Sequence, residues 1–140
     1  MAQASGLSQL PGGSKDALNA SSFGTGQLIL AALDKGASRF ILAIGGTATT
    51  DAGAGALQAL GAKLTDASGN EIALGGAALS ECTKVDISSL DSRLAGVSFS
   101  LASDVTNPLL GELGAARIFS PQKGATPDQV EILEESLKHF

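Results

Sequence analysis

Arg39-Phe40-Ile41-Leu42-Ala43-Ile44-Gly45-Gly46-Thr47-Ala48-Thr49-Thr50-Asp51-Ala52-Gly53-Ala54-Gly55 sets the architecture. Arg39 to Ile44 is a short apolar run bounded by glycine, the pattern of a buried strand. Gly45 to Gly55 is a turn rich in glycine and threonine. It opens a helix through Ala56 to Leu60, which Gly61 ends. A strand that passes through a tight turn into a helix is the repeating step of an α/β fold.

The neighbouring segments extend that step. Upstream, Ser21 or Ser22 caps a helix whose Leu-rich run covers Gln27 to Leu33 and which Gly36 ends. Residues 1 to 20 read as a short strand at most, followed by a loop at Pro11, Gly12 and Gly13. Downstream, Ala62 to Thr65 is a strand and Asp66-Ala67-Ser68-Gly69-Asn70 a turn. Gly75 to Ser89 is ambiguous, with a short helix around Ala77 to Ser80. Val97 to Leu101 alternates apolar and polar residues, as a strand with one buried face does. Pro121-Gln122-Lys123-Gly124 is a loop. In the last helix Thr126, Pro127 and Gln129 form the start, and Val130, Leu133, Leu137 and Phe140 form one apolar stripe. Glu134 and Lys138 are placed to pair along that helix. The expected fold is α/β: a three-layer-like mixed or partly parallel sheet with flanking helices, as a single domain over residues 1–140.

Composition narrows the function. The chain has 140 residues, 44% of them hydrophobic, with no Trp or Tyr and five Phe, so small aliphatic side chains must fill the core. Its net charge is −5, and the nine Lys and Arg are scattered, which gives no basic stripe for nucleic acid. A single Cys excludes an internal disulfide and a multi-cysteine zinc site, and Cys82 and His139 read as structural. The longest apolar run, near Phe40 to Ile44, is far short of the roughly 20 residues a membrane span needs. These features give the expectation of a soluble cytoplasmic protein with no nucleic-acid or membrane partner.

Four segments carry candidate chemistry, and each has a plainer reading. Gly45, Gly46, Thr47, Thr49, Thr50 and Asp51 can hold phosphate or carboxylate oxygens with backbone N–H groups, hydroxyls and a helix N-terminus; equally, they can form a tight turn with an ordinary cap. No Gly-Lys-Ser/Thr follows, so the turn is not a P-loop, and it lacks the G-x-G-x-x-G spacing of dinucleotide sites. Asp104 and Asn107, just past a strand's end, sit where open α/β sheets bind ligands, or they form a turn before Pro108. Lys123, between Pro121 and Gly124, can neutralise an anion, or it is a solvated surface lysine. Ser22-Phe23-Gly24-Thr25-Gly26 is another glycine-rich helix start, in which Gly24 and Thr25 are either ligand contacts or part of normal capping.

Taken in order, these segments resemble the glycerate kinase family of the bacterial glycerate 2-kinase type. The stretches that carry the resemblance are Met1 to Leu7, Ser22 to Ile29, Gly45 to Gly55, Asp104 to Leu109 and Pro121 to Ala125, which together span nearly the whole chain. The departures are Phe23 where the family has Tyr, Gln27 for Glu, Thr50 for Asn, Ala52 for Gly and Ser120 for Gly. The family's Asp-Ser-Phe-Lys and Asp-Gly-Gly-Glu-Gly segments are absent, so the expectation is an internal portion of a two-domain kinase that needs the remaining portions as partners and is inactive alone. The resemblance implies ATP and Mg²⁺ as cofactors, D-glycerate as substrate and 2-phosphoglycerate as product. It implies Asp104 as base or Mg²⁺-side carboxylate, Lys123 against developing phosphoryl charge, Asn107 for substrate orientation and the Gly45 to Asp51 turn for anionic oxygens. The competing reading is a non-catalytic α/β module that binds an anion or a partner.

Overall fold

The computed structural model describes residues 1–10 and 14–140. The expected loop at Pro11, Gly12 and Gly13 lies outside the described residues.

The central step forms as its sequence demands. Strand β1 (Arg39–Ala43) leads through the glycine turn into a helix, Ala54–Ala59. In chain order the helices are α1 (Ala2–Ser5), α2 (Phe23–Asp34), α3 (Ala54–Ala59), α4 (Ala115–Phe119) and α5 (Pro127–His139). The other strands are β2 (Lys63–Thr65), β3 (Lys84–Asp86) and β4 (Ser98–Ala102). β1 pairs in parallel with β4, from Arg39 opposite Ser98 to Ala43 opposite Ala102. β2 pairs antiparallel with β3 as a separate two-stranded sheet. The fold is therefore mixed α/β, with a parallel sheet flanked by helices.

Glycine and alanine set the closest helix contact. A Cβ on Gly26 of α2 would lie 2.5 Å from the Ala56 carbonyl oxygen and 2.6 Å from the Ala59 Cβ of α3. No side chain fits there, so the two helices meet backbone to backbone. The aliphatic core has two parts. Leu64, Leu79, Leu133, Leu137 and Ala116 fill the larger. Ile29, Leu33 and Leu60 form the smaller, against Phe40 and Leu42 of β1.

α5 has the capping box its sequence announces: Thr126 Oγ1 accepts from the Gln129 N–H, and Gln129 Oε1 accepts from the Thr126 N–H. The expected Glu134–Lys138 pair does not form. Glu134 turns inward, only 6% exposed, and accepts from the Gly111 N–H at 2.6 Å. Lys138 instead sits 3.7 Å from Glu135. The Leu109–Gly114 loop packs over this side of α5, and its backbone claims the carboxylate.

Sequence patterning misjudged some segments. Ala2–Ser5 is a helical turn where a strand was expected. The short helix expected around Ala77 to Ser80 in the otherwise ambiguous Gly75 to Ser89 stretch does form, as a 3₁₀ turn at Ala77–Glu81, and β3 follows it. Pro121–Lys123 is a 3₁₀ turn ended by Gly124 at φ 95°. The larger correction concerns β1 and β4. The first was expected to be buried and the second buried on one face. Ile41 is 78% exposed, and all five residues of β4 are exposed. Parallel strands are found covered on both faces; here Ile29 and Leu33 of α2, with Leu60, Leu90 and Leu94, pack against Phe40 and Leu42 on one face. Cys82 is buried, and its carbonyl oxygen lies 2.7 Å from His139 Nε2, so both are structural as expected.

Candidate functional site

The β1–β4 register decides what meets at the sheet's carboxyl edge. Ala43 stands opposite Ala102, and the Ile44 N–H still donates to the Ala102 carbonyl at 3.3 Å. Two residues beyond the last pair, Gly45 leaves one strand and Asp104 the other. Adjacent strands lie about 4.8 Å apart, so the glycine turn and the Asp104 loop start side by side. This is the edge at which open α/β sheets place ligands.

The turn is held from below. Thr47 pairs with Gly6: the Leu7 N–H donates to the Gly46 carbonyl at 3.2 Å and the Ala48 N–H to the Ser5 carbonyl at 2.9 Å. Gly46 has φ 70°, a conformation that costs other L-residues about 1–2 kcal/mol. The N–H groups of Gly45, Gly46 and Thr47 have no partner among the described residues, and both glycines are exposed. A cleft of about 170 Å³ lies beside the turn, lined by Ser5, Gly6, Gln9, Ser21, Ala48 and Thr49.

The second half of the turn faces inward. Asp51 is 2% exposed. Its Oδ2 accepts from the Ser22 N–H at 2.7 Å, the Ser22 hydroxyl at 2.8 Å and the Gly55 N–H at 3.3 Å, and its Oδ1 from the Gly53 N–H at 3.2 Å. Ser22 Oγ in turn accepts from the Ala56 N–H at 2.9 Å. The N-terminal N–H groups of α3 are thus already taken by a carboxylate and a hydroxyl of the protein. The expectation that they would hold a ligand gives way to the plainer capping reading, since Asp51 is itself the anion at that positive helix end.

Lys123 lies beneath the same half, 7% exposed, donating to the Thr49 carbonyl and to Thr50 Oγ1 at 3.3 Å. Thr50 Oγ1 also lies 3.2 Å from Ser120 Oγ. Burial pushes the Lys123 ammonium below the usual lysine range, and the Asp51 charge opposes that shift. Lys123 is therefore neither a solvated lysine nor one projecting into an open site. It is a buried cation that ties the 120s loop to the turn, with Gly124 packed against Lys15.

Gly24 and Thr25 are packing positions. A Cβ on Gly24 would meet the Ala4 carbonyl at 2.5 Å, and Thr25 Oγ1 lies 2.9 Å from Ser5 Oγ. At the outer edge, Asp104 and Asn107 are exposed, and Asn107 donates Nδ2–H to the Leu113 carbonyl at 2.9 Å. No hydrogen bond joins Asp104 to Lys123 among the described residues. The exposed groups at the edge are Gly45, Gly46, Asp104 and Asn107, and Thr47 is half-buried beside them. The sequence did not single out Ser22 as an α3 cap or Ser120 as a Thr50 partner. They lie 29 and 70 residues from the groups they bond, and no local signal links them.

No group of three or more His, Cys, Asp or Glu gathers as a metal site among the described residues, and no helix is long and apolar enough to cross a membrane. One exposed carboxylate at a phosphate-sized turn suits Mg²⁺ held mainly by substrate oxygens. The cleft beside the turn, at about 170 Å³, is smaller than the roughly 300 Å³ at which small-molecule pockets begin, so by itself it does not fit a nucleotide.

Fold and edge together define an α/β protein with an exposed glycine turn and an exposed carboxylate just past the ends of two adjoining parallel strands. The sequence profile of the glycerate kinase family matches residues 1–140. A glycerate 2-kinase of Escherichia coli (strain K12) is 53% identical over 140 residues, and a glycerate kinase of Bacillus subtilis (strain 168) is 52% identical over the same length. Each match covers 100% of this chain and 37% of the relative. A solved structure from Salmonella typhimurium LT2, assigned as a glycerate kinase 2, superposes with a TM-score of 0.93 at 52% identity, covering 98% of this chain and 37% of that one. The chain belongs to the glycerate kinase family and spans about a third of the length of the curated relatives it matches.

Proposed function

We propose that residues 1–140 form one α/β domain of an ATP-dependent glycerate kinase and supply the acid-binding, hydroxyl-orienting side of its site. The observation that supports this is the register that starts the Gly45 turn, with its unpartnered N–H groups, beside the loop that carries Asp104. The three N–H groups hold the anionic oxygens of D-glycerate or of its phosphorylated product. Asp104 orients the hydroxyl that is phosphorylated and takes its proton, and Asn107 Oδ1 helps to position the substrate. Lys123 keeps the turn in shape and adds positive charge beneath it. ATP supplies the phosphoryl group and Mg²⁺ screens its charge. The cleft beside the turn is too small for a nucleoside, and we assign the nucleotide to portions of the enzyme beyond these residues.

The test is a hybrid in which these 140 residues replace the matching segment of the Escherichia coli glycerate 2-kinase. A coupled ADP-release assay should show glycerate-dependent turnover by the hybrid and none by the 140-residue chain alone. Asp104→Asn in the hybrid should lower kcat at least roughly 100-fold, with a much smaller change in KM. Near-normal kcat would leave Asp104 as a turn former before Pro108. Because the chain spans only 37% of the relatives it matches, a second reading stands for the isolated chain: a non-catalytic module that binds small anions. Phosphate binding to the chain with no turnover in the hybrid would favour it.

A further inference from the structure

Asp51 and Glu134 are the buried carboxylates among the described residues. N–H and O–H donors surround Asp51 on both oxygens. Glu134 is treated differently. Its Oε1 accepts from the Gly111 N–H at 2.6 Å, while its Oε2, equally buried, has no hydrogen-bond partner among the described residues. The nearby cations are engaged elsewhere: Arg117 holds Glu131 through both terminal nitrogens, and Lys138 sits against Glu135. A buried carboxylate left half satisfied costs free energy. Stability by itself favours an apolar side chain here, beside Val130, Leu133 and Leu137 on the buried face of α5.

What the carboxylate holds is the loop that follows the sheet edge. Gly111 turns at φ 95°. Its carbonyl accepts from the Gly114 N–H at 2.8 Å, and the Ala115 N–H reaches back to the Leu109 carbonyl at 3.0 Å. These bonds close residues 109–115 into one turn. Asn107 is tied to the same turn by its bond to the Leu113 carbonyl. We propose that Glu134 is the positioning residue for Asn107: its carboxylate anchors the turn to α5, and the Leu113 carbonyl of that turn orients the Asn107 amide for D-glycerate. The inference rests on the reading that Asn107 meets that substrate. Supporting groups hold a contacting side chain to within about 0.5 Å, and a misplacement of about 1 Å costs on the order of 100-fold in activity. That demand accounts for a costly carboxylate where an apolar side chain would pack.

The hybrid enzyme provides the test. Glu134→Met removes the acceptor at similar volume, and Glu134→Gln keeps an oxygen for the Gly111 N–H. Glu134→Met should raise KM for D-glycerate at least about tenfold and leave KM for ATP within about twofold. Glu134→Gln should bring the glycerate KM back to within about threefold of the parent. In an Asn107→Ala background, Glu134→Met should add less than about twofold, because the turn then holds no amide. Amide exchange of residues 107–114 should quicken at least about tenfold in Glu134→Met and stay near the parent in Glu134→Gln. The inference is overturned if both KM values rise together, if Gln behaves as Met, or if the Met and Asn107→Ala effects multiply in full. It is also overturned if Glu134→Met does not fold, since the residue would then serve the whole fold. An unchanged glycerate KM in Glu134→Met beside a raised one in Asn107→Ala overturns this inference alone. Quickened exchange with no effect of Asn107→Ala means that the turn is anchored but the substrate reading of Asn107 has failed, and the positioning role falls with it.

Discussion

Asp51→Ala removes the acceptor on which two helix starts depend. The Ser22 and Gly55 N–H groups both lie in buried positions and lose their partner, and the Ser22 hydroxyl loses its acceptor at 2.8 Å. An orphaned buried donor costs about 1–3 kcal/mol. The two backbone groups alone therefore cost about 2–6 kcal/mol. Removing a buried charge recovers part of its desolvation cost, which leaves an expected net loss of about 3 kcal/mol. That is a large share of the roughly 5–15 kcal/mol that holds a domain together. At about 3 °C per kcal/mol for a domain of this size, the thermal midpoint should fall by roughly 10 °C. Asp51→Asn keeps one oxygen for Ser22 and should lose about half as much. Asp104→Ala, at an exposed position with no side-chain hydrogen bond among the described residues, should stay within about 0.5 kcal/mol. Urea and thermal unfolding of the three variants measure the order. If the midpoint for Asp51→Ala lies within 2 °C of the parent, or Asp104→Ala destabilises more, then Asp51 does not join the two helices and the placement of the site around it fails.

Ala52 has φ 49°, the only non-glycine at positive φ among the described residues, so Ala52→Gly should raise stability by about 1 kcal/mol in urea unfolding; a loss would mean that the turn does not hold that conformation. A Cβ on Gly45 meets nothing within 4 Å and carries no positive-φ strain, so Gly45→Ala should weaken phosphate binding by calorimetry without moving the midpoint. Gly46→Val should instead unfold earlier by at least about 1–2 kcal/mol, because its φ is 70° and its Cβ would press on Ala2 at 3.3 Å. For Lys123 the folded pKa lies below the ordinary 10.5, so the folded state binds fewer protons between that value and 10.5, and stability rises with pH across this window. The contribution is complete above 10.5 and is lost as pH falls through the folded value; Lys123→Met should lack this rise in alkaline unfolding curves.

Local chemistry made much of the chain legible. The apolar run of β1, the glycine stops at Gly36 and Gly61, the Asp66–Asn70 turn and the α5 capping box each depend on residues within a few positions of one another, and each formed close to its expected bounds. The glycine turn and Asp104 were also marked by sequence, because glycine clusters and a carboxylate past a strand end are local patterns. Tertiary structure decided which of them face outward. Thr50, Asp51 and Lys123 read as ligand groups in a linear motif. In space they are claimed by Ser120, Ser22 and the Thr49 carbonyl, partners tens of residues away that compete for the same hydrogen bonds. Glu134 left a helical pairing for the Gly111 N–H for the same reason. Burial was the other undecidable quantity. The alternation of β4 states that one face is apolar, but whether anything covers that face depends on which strands and helices pack there; the α2 side chains Ile29 and Leu33 pack on Phe40 and Leu42 of β1, while Phe99 and Leu101 of β4 stay exposed.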